Sequence, residues 1–218
     1  MTFPKTLKSI KLLIIAQILT IISQLLTIFV AGILISSSVN ITDNLDNIPL
    51  HLLLLIIGLT ALYLLTGVAS VILCLISTHK ASAEDANFKV AFYSTVISLF
   101  LYVLSIVFSA NKEVENITEL LVLLTELLAQ VYILEGIRSI CKQLGHPEMD
   151  KLGGFIYAVI TTLFVVQTCV SVYILVLGGT MVTTRASWLS IVGSLLTIFS
   201  MILFLCYSYK TIKILSKE

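Results

Sequence analysis

Hydrophobic residues in this chain are grouped into long runs that are separated by short polar segments. Five runs are unmistakable, at about 12–36, 50–77, 88–110, 154–177 and 188–209. Each contains about 20 or more mostly apolar residues, which is the length of α-helix that crosses a hydrocarbon layer about 30 Å thick. Runs of this length are typical of membrane helices. The pattern therefore predicts at least five membrane-spanning α-helices.

A sixth segment, at about 117–141, is largely apolar but carries ionisable side chains. Glu126 and Gln130 lie in its middle, and Glu135 and Arg138 lie near its end. The spacing of three residues between Glu135 and Arg138 predicts that these two side chains pair with each other on one face of a helix. Hydropathy alone does not decide whether this segment crosses the membrane or lies on its surface.

The distribution of Lys and Arg decides in favour of crossing, because positively charged residues collect on the inner side of membrane proteins. With six spans and both termini inside, the inner side holds eleven of the 13 Lys and Arg residues, and only Lys112 and Arg185 lie outside. With five spans, the inner side holds six Lys and Arg residues and the outer side holds seven, so neither side is enriched. The sequence therefore predicts an all-α integral membrane protein with six transmembrane helices, N-in and C-in.

Two stretches of the sequence recur at constant offsets. Tyr63-x-Leu65-x-Gly67-Val68-x-Ser70 matches Tyr132-x-Leu134-x-Gly136-Ile137-x-Ser139, and a second set of five residues matches between the first and third runs. One interpretation is three tandem helical hairpins with the same orientation, the last of which has diverged most. The other interpretation is chance, because apolar helices share few residue types.

Composition supports a single polytopic membrane domain over residues 1–218. The chain is 58% hydrophobic and 11% charged, whereas soluble domains are about 45–50% apolar and about 25% charged. The net charge of +1 gives no reason to expect a nucleic-acid partner. The phosphate-binding pattern G-x-x-x-x-G-K-[ST] does not occur, so a process driven by ATP would need a protein partner that supplies the energy.

Catalytic and metal-binding patterns are weak. The three histidines lie at span ends or in connections, no H-E-x-x-H occurs, and the four cysteines are scattered singly through apolar segments. Isolated cysteines in such segments are typical of small buried hydrophobic residues. We therefore expect no enzyme activity, no cofactor and no metal site.

Polar residues in the middle of the predicted spans are the candidate functional residues. An ionisable group at the centre of a membrane helix costs about 2.5–3.5 kcal/mol, so a bundle interior, a partner or water must compensate it. On a helix, Glu115, Glu119, Glu126 and Gln130 lie within about 40° of one direction. Placed by depth, six side chains form a layer near the midplane: Gln24, Tyr63, Tyr102, Glu126, Gln130 and Gln167.

This layer favours a small-solute transporter, or a solute-binding membrane subunit, with a midplane polar site around Glu126 that binds a small solute, a cation or a proton. The alternative is a non-transporting membrane factor with an immunity, assembly or regulatory role that acts through helix–helix contacts, in which these groups only bond neighbouring helices. An ion channel assembled from several subunits is a third interpretation. Lysine outnumbers arginine eleven to two, and Ile, Leu and Asn are plentiful, which favours a low-GC bacterial source and hence the inner membrane.

Overall fold

The computed structural model describes residues 3–36, 50–108, 112–177 and 183–216, which fold into six long α-helices with no β-strand in those ranges. The helices are α1 (Pro4–Ser36), α2 (Leu50–Ala81), α3 (Ala86–Val107), α4 (Lys112–Gln143), α5 (Pro147–Leu177) and α6 (Thr183–Leu215). Each contains a stretch long and apolar enough to cross a membrane. The prediction of an all-α, multi-pass membrane protein with six such helices is confirmed, including the segment that carries Glu126.

Most helices extend beyond the apolar runs that predicted them, because capping residues set their ends. The Asp85 carboxylate accepts a hydrogen bond of 2.8 Å from the Asn87 backbone N–H and thereby caps the start of α3. At the end of α4, Gly145 adopts φ +76°, a left-handed conformation that glycine tolerates best. α4 begins at Lys112, five residues before the predicted position 117. Apolar runs locate a helix in the bilayer, but caps decide where it stops.

The six helices form a closed ring in chain order. Each helix packs against the next one along the chain, and α6 packs against α1. The most extensive contacts among the described residues join α1 to α2 and α3 to α4. These are the two hairpins for which the sequence suggested a repeat; the repeat and the orientation in the membrane stay predictions.

One end of the ring is tied together by polar contacts; we call it the basal end. It comprises the start of α1, the 82–85 connection, the 144–146 connection and the end of α6. Both carboxylate oxygens of Glu84 accept hydrogen bonds from the start of α1, from the backbone N–H groups of Lys5 at 3.0 Å and Thr6 at 2.7 Å. The Tyr207 hydroxyl donates to the Met149 carbonyl at 3.4 Å.

The hydrophobic core lies towards this basal end. Its fully buried large side chains come from α1, α3, α4 and α6: Ile10, Leu13, Phe88, Ile133, Leu134, Ile137, Ile140 and Tyr207. Glycine allows the closest helix contacts there. A Cβ added at Gly136 would lie 2.7 Å from Phe88 Cε2, so α3 and α4 meet at this point with no room for a methyl group. The basal end is therefore closely packed.

The opposite half of the bundle is much less tightly packed; we call it the open half. In α2, every residue from 60 to 65 is exposed. Six consecutive positions at 100° per residue cover all directions around a helix, so the face of α2 directed at the bundle interior is accessible as well as the face directed at lipid. In the last two turns of α3, Phe100, Tyr102, Val103, Ile106 and Val107 are exposed. Within the described residues, the ring is thus closely packed at the basal end and accessible in its other half.

Candidate functional site

Glu126 is the only ionisable side chain with a formal charge at neutral pH in the central part of any of the six helices. It is alone among such residues between 120 and 134. The central parts of the other helices contain no Asp, Glu, Lys, Arg or His, over residues 12–36, 52–78, 90–107, 152–177 and 186–209. No cationic residue is therefore available at the same depth to neutralise this carboxylate.

The surroundings of Glu126 identify it as a cavity-lining side chain. The residue lies on the face of α4 that carries the buried Ile133 and Ile137, seven and eleven residues further along the helix, and yet its side chain is exposed. A side chain on the lipid-facing surface would lie on the opposite face of α4, and one packed in the core would not be exposed. Glu126 therefore lies in an internal cleft of the ring, near the middle of α4.

Tyr63 of α2 lies near this carboxylate, and Tyr102 of α3 lies near Tyr63. The Tyr63 phenol of α2 is within electrostatic interaction range of the Tyr102 phenol of α3 and of Glu126. Both tyrosines are exposed, with 37% and 49% of their surfaces accessible. Three consecutive helices thus converge on one location. We call Glu126, Tyr63 and Tyr102 the central site.

Cys74 lies beneath the central site, towards the basal end, and sequence reasoning did not single it out. Its thiol interacts with the Thr95 hydroxyl of α3 and lies within electrostatic range of Glu126. The sequence spacing did indicate that these residues lie on the same side of their helices. Cys74 follows Tyr63 by eleven residues on α2, and Tyr102 follows Thr95 by seven residues on α3. Both spacings return to nearly the same face of an α-helix.

The other predicted residues of the layer are less directly connected to this site. Gln130 follows Glu126 by one helical turn and is half-buried. Gln24 is half-buried on α1, which packs against α2 and α6. The side chain of Gln167 lies outside the described residues.

The polar side chains of the central site, and those of Gln130 and Gln24, are not hydrogen-bonded to other side chains. Among the described side chains, none of Glu126, Tyr63, Tyr102, Gln130 and Gln24 shares a hydrogen bond with another side chain. Elsewhere in the bundle, polar groups do bond across helices. The Ser70 hydroxyl of α2 donates to the Ala16 carbonyl of α1 at 2.9 Å, and Ser77 donates to the Ser9 carbonyl at 2.7 Å. The side chains of the central site therefore take no part in cross-helix bonds of this kind.

A second polar cluster lies at the basal end around Arg138. The guanidinium bonds Glu135 at 2.8 Å and Asp150 at 2.9 Å. The predicted pairing of Arg138 with Glu135 is confirmed, and Asp150 is an additional partner on α5. All three side chains are partly exposed. The cluster joins α4 to α5 at the protein surface and is separate from the central site.

Chemically, the central site offers one carboxylate, two phenols and nearby amide groups. Within the described ranges, no three His, Cys, Asp or Glu side chains come together in a way that could hold a metal ion. A lone carboxylate in a cleft can hold a proton or a single positive charge. No protein-family model, curated protein or solved structure matches the chain, so the site has to be interpreted from its own chemistry.

Proposed function

We propose that this protein is a small-solute transporter, or the solute-binding subunit of one, and that its solute binds at the central site. The observation that carries the proposal is the exposure of Glu126 inside the ring. A carboxylate without a partner at this depth costs about 2.5–3.5 kcal/mol, and a bound cation, a proton or water would compensate that cost. The alternative role as a helix-packing factor predicts instead that Glu126 and its neighbours are bonded to adjacent helices.

The shape of the ring supports the same proposal. Alternating access requires a site near the bilayer midplane that opens to one side at a time. The basal end is closed by packed side chains and by Glu84, and the open half leaves the central site accessible. From the distribution of Lys and Arg we propose that the basal end is the inner side, so that the described residues leave the central site more accessible from the outer side.

The energy source follows from what the chain contains. With no phosphate-binding loop in the sequence, ATP-driven uptake would need an associated protein. Glu126 also allows coupling to a proton or a cation within this chain alone. We propose the bacterial inner membrane as its location, on the strength of the sequence composition.

The test is a ligand screen on the purified protein in detergent, measured as thermal stability against a broad panel of solutes and ions. Binding to the folded state at 100 times the dissociation constant adds about 2.7 kcal/mol to its stability. A solute that stabilises the wild type but not Glu126→Gln would support the proposal. Glu148→Gln is the matched control, because Glu148 is exposed in the first turn of α5.

A panel that stabilises neither protein, with Glu126→Gln behaving as the wild type does, would contradict the proposal. That result would favour the role as a helix-packing factor, and co-purification of associated membrane proteins would then be the next measurement.

A further inference from the structure

We infer that the solute of the central site is a monovalent organic cation with an apolar or aromatic body. This inference rests on the proposed function and deepens it by naming the class of solute. It is carried by three observations: the charge of the site, the aromatic side chains beside it, and the apolar character of the surrounding positions.

The single negative charge of Glu126 favours a solute that carries one positive charge. Glu126 has no Lys, Arg or His at its depth on any helix. An anionic solute would place a second negative charge beside this carboxylate in a region of low dielectric constant, where repulsion between like charges is strong. A solute with a single positive charge would neutralise Glu126 instead.

The aromatic side chains favour an organic cation. Tyr63 and Tyr102 are both exposed, Tyr63 lies near Glu126, and Tyr102 lies near Tyr63. A cation placed over the face of a tyrosine ring gains about 0.5–1 kcal/mol at exposed sites and about 2 kcal/mol when it is desolvated. An alkylammonium or a related group that pairs with the carboxylate would lie near Tyr63, which has Tyr102 beside it.

The positions around Glu126 are poor ligands for a hard metal cation. One turn before and after it on α4 lie Val122, Leu123, Ala129 and Gln130. Ca²⁺ takes six to eight oxygen ligands and Mg²⁺ demands an octahedral set. A single carboxylate with two phenols and an amide falls short of either requirement. Apolar walls instead match the apolar body of an organic solute.

Nearby hydroxyl groups add little polarity. On α2, the Thr60 hydroxyl donates to the Ile56 carbonyl at 2.8 Å and the Thr66 hydroxyl donates to the Leu62 carbonyl at 2.9 Å. On α3, the Ser105 hydroxyl donates to the Tyr102 carbonyl at 2.8 Å. These protons are used within their own helices, so they are not available to bind an anionic group.

The test compares three probes that share a benzyl group and differ in charge: benzyltrimethylammonium, benzyl alcohol and phenylmethanesulfonate. Each is titrated into the purified full-length protein in a non-ionic detergent and followed by calorimetry and thermal stability. We expect benzyltrimethylammonium to bind and to raise the melting temperature, with sodium chloride at equal ionic strength as the reference. The neutral and anionic probes should bind at least about tenfold more weakly, as expected for the loss of a charge-assisted contact.

Variants assign the binding to the central site. Glu126→Gln should weaken binding of benzyltrimethylammonium at least about tenfold, whereas Glu126→Asp should retain part of it. Tyr63→Leu and Tyr102→Leu should each weaken it about two- to fivefold, and Tyr63→Phe should not, because the ring face remains. Tyr209→Leu is the control, since Tyr209 is exposed on α6 near the basal end. Equal elution from size exclusion shows that each variant is folded.

Equal binding of the three probes, or binding that Glu126→Gln leaves unchanged, would overturn the inference. If an anionic or neutral solute from the broader panel binds in a manner that depends on Glu126 while the cation does not, the transport proposal stands and the solute class assigned here is wrong. If no solute binds and Glu126→Gln behaves as the wild type does, the transport proposal and the assigned solute class are both wrong.

Discussion

Arg138 on α4 and Asp150 on α5 form a salt bridge of 2.9 Å across the 144–146 connection. The same Arg138 side chain lies against Gly153, one turn further along α5. Ion pairing and close packing therefore act at one corner of the basal end. This corner closes the ring beneath the central site, and its two contributions can be separated by mutation.

Gly153→Ala should destabilise the protein by about 1–3 kcal/mol, the usual cost of inserting a methyl group into a packed contact. A Cβ at Gly153 would lie 2.5 Å from both Arg138 Cγ and Tyr207 Oη. Gly193→Ala is the control, because nothing lies within 4 Å of a Cβ built there, and alanine is the better helix former. Thermal unfolding in detergent should show a lower melting temperature for Gly153→Ala and no decrease for Gly193→Ala.

Asp150→Asn should cost less than about 1 kcal/mol, because the Arg138–Asp150 bridge is partly exposed and salt bridges in such places are weak. This loss of stability should become smaller as the salt concentration rises, because salt screens the ion pair. Glu148→Gln controls for the charge at the start of α5, since both acids lie in its first turn. An equal, salt-independent effect of the two variants would mean that the bridge itself contributes nothing.

Glu84→Gln should loosen the start of α1. The carboxylate of Glu84 accepts hydrogen bonds from two backbone N–H groups that have no partner within the helix, and the loss of a helix cap typically costs about 0.5–2 kcal/mol. Hydrogen exchange measured by mass spectrometry should accelerate at Lys5 and Thr6. Asp85→Ala is the matched control, because it removes the acceptor of the Asn87 N–H: it should accelerate exchange at Asn87 and leave Lys5 unchanged. The reverse pattern would contradict the assignment of these two caps.

A cysteine at position 63 should react with a small, charged thiol reagent added from the outer side. In a background with the four natural cysteines replaced by alanine, Tyr63→Cys should be labelled, because the residue is exposed in the open half. Ile137→Cys should resist, because Ile137 is fully buried near the basal end. Labelling of position 63 only from the inner side of inverted vesicles would contradict the proposed orientation.

Sequence patterns predicted the helices well, for a direct physical reason. A bilayer requires about 20 apolar residues per crossing, so every span leaves a local signal. Even the 117–141 segment was assigned correctly, because Lys and Arg at the span ends carry independent information about topology. The ends of the helices were predicted less well. The apolar run that predicted the fifth helix begins at about position 154, but the helix begins at Pro147, and Gly153 lies inside it, where it admits Arg138 and Tyr207.

By itself, the sequence determined that the chain forms six membrane-length helices and that a single carboxylate lies in the middle of one of them, since both facts depend on residues close together in the chain. Tertiary structure decided which helices are neighbours, that Tyr63 lies near both Tyr102 and Glu126, and that Glu84 caps a helix 79 positions away. These contacts depend on how apolar helices rotate and pack against one another. Hydropathy says little about that rotation, because apolar residues surround most of each helix.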